Sequence, residues 1–242
     1  MKNFQLLLVT MFTALLSWQA NAQEISVVYS ARINTASEEL FKETGLPEDM
    51  RRALINAYGK VDFSYGLTYA NNESTFQMLP SNKKQEISFM GQTMDLSAMT
   101  EEQSKNVTYK NHQTKQIISK TLFLGKEFLV TDTIAVEQFN IVENEVKEIL
   151  GFECKKAISS DGKNIVWYTE HIPVADGPIN TNLPGLILEA HLDQYIYTAT
   201  SIDDNTKQSI VVPTGGKKMT NAEFQEMVQK QTEMMKRGTG GL

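Results

Sequence analysis

The sequence predicts a mainly β protein of the α+β class: a curved antiparallel sheet or half-barrel with an N-terminal helical insertion and a C-terminal amphipathic helix. Three observations predict it. Apolar residues recur at every second position over most of the chain, as in Ile25, Val27, Tyr29, Ala31 and Ile33, and again in Val61, Phe63, Tyr65, Leu67 and Tyr69. Turn residues separate these runs by only a few positions, which suits antiparallel neighbours and is too short for parallel crossovers. Helical spacing appears in two places only, and no strand–helix–strand rhythm accompanies it.

Taken in order, residues 1–22 read as a secretory signal peptide. Lys2 gives the positive start, Phe4 to Trp18 is largely apolar, and Ala20-Asn21-Ala22 is a small-residue cleavage site. Residues 23–237 then form a single β-rich domain and 238–242 a flexible tail. Within the domain, Ala36–Tyr58 is the helical insertion. Glu38-Glu39-Leu40-Phe41 reads helically, and a second stretch runs from Pro47, suited to a first turn, to a stop at Gly59. Asn71-Asn72 turns the second alternating run into Ser74–Leu79.

Further strands are expected at Gln85–Met90, Asn106–Lys110, Thr114–Phe123, Phe128–Asp132, Val146–Leu150, Glu153–Ser159 and Asn164–Thr169. Asp161-Gly162 between the last two is the strongest hairpin signal in the chain. Leu186–His191 and Tyr195–Ile202 pair around Leu192-Asp193-Gln194, and Thr206–Val212 closes the series. The final helix spans about Asn221–Lys236, opened by a Thr220/Glu223 capping box, with Phe224, Met227, Val228, Met234 and Met235 along one stripe.

One segment, from Val166 to Ala190, is organised by turn chemistry. Asp176-Gly177-Pro178 and Asn182-Leu183-Pro184-Gly185 bracket a polar stretch, and Leu186-Ile187-Leu188 starts a buried strand. The segment reads as a rigid crossing loop between Trp167 and Leu188. Asn182-Leu183-Pro184-Gly185-Leu186-Ile187 resembles the signature of the GLPGLI family, secreted proteins of Bacteroidetes with no assigned activity. Cys154 within Gly151–Ala157, Trp167, Pro173, Gly177 and Pro178 also match that pattern. The family usually has Gly at the place of Asn182. Asn tolerates left-handed geometry next best, so the same backbone role is expected. The resemblance implies an exported protein.

Composition narrows the chemistry. The net charge of −6 falls to −7 once Lys2 leaves with the leader (−6 − 1), and no basic cluster is present, so nucleic acid and anionic membranes are poor partners. Cys154 is the sole cysteine, which excludes an internal disulfide and suits a buried, inert thiol. No nucleophile elbow, phosphate loop, dinucleotide fingerprint or metalloprotease helix occurs. If Leu186–Asp193 is a strand, Glu189, His191 and Asp193 share a face, and with His171 they form a candidate site for Zn or another divalent ion. Ordinary one-sided burial, with a polar outer face, explains the same spacing.

Otherwise no cofactor is expected. The sequence favours an exported, non-catalytic envelope protein of the periplasm, or beyond it, without a membrane span in the mature chain. It would bind a lipid, acyl chain or apolar peptide in its curved sheet, against Phe63, Tyr65, Trp167, Leu188, Met227 and Met234. Its architecture is similar to the half-barrels of periplasmic lipoprotein carriers. The alternatives are a partner of an outer-membrane protein or transporter, and a metal-assisted hydrolase.

Overall fold

Most of the alternating runs from Ile25 to Asp203 find their neighbours in a single sheet. The computed structural model describes residues 24–37, 46–81, 84–204 and 209–239. The leader expected at 1–22 and the helical reading of Glu38–Phe41 lie outside them. Among the described residues the strands are β1 (Ile25–Ile33), β2 (Phe63–Ala70), β3 (Glu73–Met78), β4 (Glu86–Phe89), β5 (Gln92–Asp95), β6 (Val107–Asn111), β7 (Gln116–Phe123) and β8 (Lys126–Thr133). They continue as β9 (Phe139–Ile149), β10 (Phe152–Ser159), β11 (Ile165–Thr169), β12 (Leu186–His191), β13 (Tyr195–Asp203) and β14 (Lys217–Thr220). The helices are α1 (Glu48–Tyr58), α2 (Ser97–Gln103) and α3 (Asn221–Thr239).

Twelve of these strands form one large curved sheet in the order β14-β8-β7-β6-β3-β2-β1-β13-β12-β11-β10-β9, which is not closed into a barrel; β4 and β5 form a separate hairpin. The molecule is thus mainly β and antiparallel-rich. Three hairpins turn where the sequence places them. Asn71 and Asn72 both adopt left-handed geometry between β2 and β3, as a tight two-residue turn demands. Asp161-Gly162 joins β10 to β11, and Leu192–Gln194 joins β12 to β13. The capping box also forms: the Thr220 amide donates to Glu223 Oε2 at 2.7 Å, and the Glu223 amide donates to Thr220 Oγ1 at 3.3 Å.

Several elements depart from the sequence reading. Of the strand expected at Thr206–Val212, the described part, Ser209–Val212, is not a strand: Val211 and Val212 are both exposed, so their run has no face to bury. The closing strand is β14, and it lies parallel to β8, the one parallel pairing among the described strands of the sheet. β9 begins at Phe139, well before Val146, because an edge strand needs burial on fewer positions; Ile141 and Val146 are half exposed. β5 and α2 carry too little periodicity to be read. Finally, α3 runs through Thr239, so the expected tail at 238–242 begins inside a helix. No helix among the described residues is long and apolar enough to cross a membrane.

The core lies on one face of the sheet. Ile25, Val27, Tyr29 and Ala31 alternate fully buried along β1, flanked by Leu67 of β2 and Tyr197 and Ala199 of β13. Burying each of the larger side chains contributes about 1.5–3 kcal/mol. A strap, residues 170–185 between β11 and β12, covers this face with Ile172, Val174 and Leu183. The Tyr29 hydroxyl donates at 2.7 Å to the Ile187 carbonyl where the strap re-enters the sheet.

Candidate functional site

The strap is held by the turn residues that mark it in the sequence. Asp176 and Gly177 sit at its inner bend, where the Ile187 amide donates to the Asp176 carbonyl. A side chain on Gly177 would bring a Cβ within 2.7 Å of Ile187 Cβ. At Gly185 a Cβ would run into the Thr169 carbonyl, so both positions require a bare backbone. Asn182 does something other than expected. Its φ is not positive; instead its amide clamps Phe139, accepting from the Phe139 N–H at 2.7 Å and donating to its carbonyl at 3.3 Å. The side chain replaces a missing strand partner at the start of β9.

The Asp176 side chain is fully buried beneath the strap and faces β6. Lys110 Nζ donates to Asp176 Oδ1 at 2.7 Å and to the Gly177 carbonyl at 3.3 Å. His112 Nε2 lies 2.9 Å from Asp176 Oδ2, and Ser74 Oγ lies 3.1 Å from the same nitrogen. Burial alone would push the Asp176 pKa up. The Lys110 charge and the His112 hydrogen bond overcome it and hold the carboxyl well below the usual range.

Serine, histidine and aspartate in contact invite comparison with a nucleophilic triad. A triad sets the base between the two partners, one on each ring nitrogen. Here Ser74 and Asp176 approach the same nitrogen, so no proton can pass from the hydroxyl through the ring to the carboxylate. The cluster is a tie between strap and sheet.

Beside the tie, the strap and the ends of β2, β6 and β7 enclose an open pocket of about 430 Å³. Tyr69, Asn72, His112, Lys115, Asn180 and Thr181 supply its polar lining, and Ile134, Val136, Pro173 and Ala175 its apolar wall. The size is within the range of small-ligand sites. A second, smaller cleft of about 280 Å³ lies between α3 and the β7–β8 hairpin, against Phe123, Phe128 and Met227.

The residues nominated by the sequence separate across the sheet. Phe63 and Tyr65 lie on the core face, where Tyr65 stacks on Phe76 at 5.3 Å and meets Tyr197 edge-on. Trp167 pairs in register with Glu189, which pairs with Thr198, on the opposite face; it cannot line one cavity with Tyr65. Leu188 is fully buried at a strand irregularity, Met227 borders the α3 cleft, and Met234 is 58% exposed.

Of the four candidate metal ligands, only Glu189 and His191 meet, at 2.6 Å. Lys147 Nζ already contacts the same Glu189 oxygen at 2.6 Å and lies over the Trp167 ring, supplying the positive charge a cation would bring. Asp193 accepts from Ser37, and His171 Nδ1 sits against Thr169 Oγ1. Among the described residues no three His, Cys, Asp or Glu side chains are grouped to hold an ion. Cys154 is buried, and burial pushes its thiol up to about 11, so it is not a thiolate at neutral pH.

Sequence reasoning missed Lys110, His112 and Asp176. The one signal was Lys110 itself, a lysine in the inward register of a strand, where a charge needs a buried partner.

Residues 64–228 match the family model described as "N-glycanase peptide, N-terminal domain". Among solved structures the chain is similar to one described as "Structure of PNGF-II in C2 space group". The two are 15% identical with a TM-score of 0.52 over 86% of this chain and 33% of that one. This chain therefore spans about a third of that protein, and the likeness is one of fold. No curated protein matches the sequence.

Proposed function

The chain belongs to the family of the N-glycanase N-terminal domain, and on that premise we propose that it is an exported, non-catalytic binding module. Its working surface is the pocket at the strap. In a family named for glycan removal, such a module holds a ligand or glycoprotein for chemistry done elsewhere. The observation that carries this reading is the double use of His112 Nε2 by Ser74 and Asp176, which makes the buried polar cluster beside the pocket a tie and not a relay.

The test is to incubate the purified chain with a denatured N-glycoprotein and measure both released glycan and retained glycoprotein. Retention without release is the expected result. Glycan release that disappears in Asp176→Asn, with the variant still folded, would overturn it.

A second reading is supported by the α3 cleft, where Phe123, Phe128 and Met227 offer an apolar surface. In that reading the open sheet works as a half-barrel carrier, and the ligand is a lipid, acyl chain or apolar peptide. The family resemblance of the Asn182–Ile187 signature to secreted GLPGLI proteins is compatible with either. Native mass spectrometry of protein from its own envelope fraction separates them, because only the second expects a co-purifying apolar mass.

A further inference from the structure

We infer that the strap pocket binds an acidic sugar, a polyhydroxylated ring carrying one carboxylate. This inference rests on the binding-module reading and names the ligand of that site. The first support is the sign of the lining. The chain holds 29 acidic against 23 basic residues, yet no Asp or Glu lines this pocket, while Lys115 does. The acid behind it, Asp176, is fully buried and already committed to Lys110 and His112. The pocket is thus a small area of reversed charge on an acidic protein, which favours an anion.

The second support is what the lining side chains leave free. Lys115 and Asn180 make no side-chain hydrogen bond or ion pair with the described residues, although the backbone of each is fixed. The Ile134 amide donates to the Lys115 carbonyl, and the Glu137 amide to the Asn180 carbonyl. Asn72 takes the Tyr69 hydroxyl on its Oδ1. These amides both donate and accept, which matches hydroxyl groups that do the same. Tyr69, Pro173 and Val136 add apolar surface suited to the C–H face of a ring. One ammonium and several amides suit a single carboxylate among hydroxyls. A phosphate would call for more cations or a helix N-terminus.

The experiment is isothermal titration of the full chain with glucuronic acid and N-acetylneuraminic acid, against their methyl esters, with acetate as control. The acids should bind about two- to fivefold more tightly than the esters, the size of one solvent-exposed charge pair. Acetate alone should not register. Lys115→Gln should abolish the difference between acid and ester while leaving the ester unchanged, and Asn180→Ala should weaken both. A difference that survives Lys115→Gln, equal affinity for acid and ester, or displacement of the acid by a short acidic peptide would overturn the inference. If no sugar binds while glycoprotein is still retained, this inference fails and the module reading stands. Release of glycan sinks the module reading itself.

Discussion

The molecule contains the same arrangement twice, a carboxylate shared by a lysine and a histidine, in two settings. Beneath the strap, Asp176 is 0% exposed and Lys110 6%. On the opposite face of the sheet, Glu189 is 14% exposed, and Lys147 and His191, which hold it, are 33% and 39% exposed. The distances are alike, near 2.6–2.9 Å in all four contacts. Burial is what differs. In the first cluster neither ion retains enough water to stand alone, so each depends on the other. In the second, solvent screens the pair, and either member can be lost at little cost. Composition and spacing alone therefore do not say which polar cluster holds a fold together.

The largest effect that sharpens this comparison is at Asp176. Replacing it with Asn should cost about 3–5 kcal/mol, because Lys110 is left buried without a counter-charge; urea unfolding at pH 7 measures it. Folding lowers the Asp176 pKa below its unfolded value of about 3.9, so its contribution is complete above that value. As pH falls from there toward the folded pKa, the contribution is lost. The gap between wild type and Asp176→Asn should stay level from neutral pH to about 5 and close in stronger acid. A gap that widened in acid would break the comparison.

Next in size is Gly185→Ala, which forces a Cβ against the Thr169 carbonyl and should cost about 1–3 kcal/mol as the strap shifts. Asn182→Gly removes both hydrogen bonds to Phe139. A loss of about 1–2 kcal/mol is expected, and amide exchange at Phe139 should accelerate. Stabilisation by this change would mean that the clamp does not hold the start of β9. The smallest effect is at the more exposed cluster: Glu189→Gln should shift stability by no more than about 1 kcal/mol, and less at high salt. A change as large as that at Asp176 would show that exposure is the wrong variable.

Much of this fold is legible in sequence wherever the deciding interaction is local. Asn71-Asn72, Asp161-Gly162 and the Thr220/Glu223 box each act over a few residues, and each forms as read. Period-2 spacing likewise identifies the buried residues of β1 and β2. What spacing does not carry is the register between distant strands. That register puts Trp167 and Tyr65 on opposite faces, although both are aromatic residues within strands. The tie joins residues separated by 64 and 66 positions, so neither Asp176 nor His112 has a local signature. Asp176 sits in Asp-Gly-Pro, where turn chemistry alone accounts for it. β14 escaped because its place depends on the edge of β8 and not on its own four residues.

β1, the first strand in chain order, lies between β2 and β13 in the middle of the sheet. Its register with β13 pairs Ser26 with Asp203 and Ile33 with Tyr195. A chain emerging with its N-terminus first shows a strand with four fully buried apolar positions long before that strand's second neighbour exists. β1 cannot gain that second neighbour until residue 203 has arrived, so this topology has high contact order and folds late and slowly. Until then one edge of β1 stays open to any other extended strand, including that of a second copy. Delay of this kind makes the interval before β13 pairs the time when chaperoning matters most.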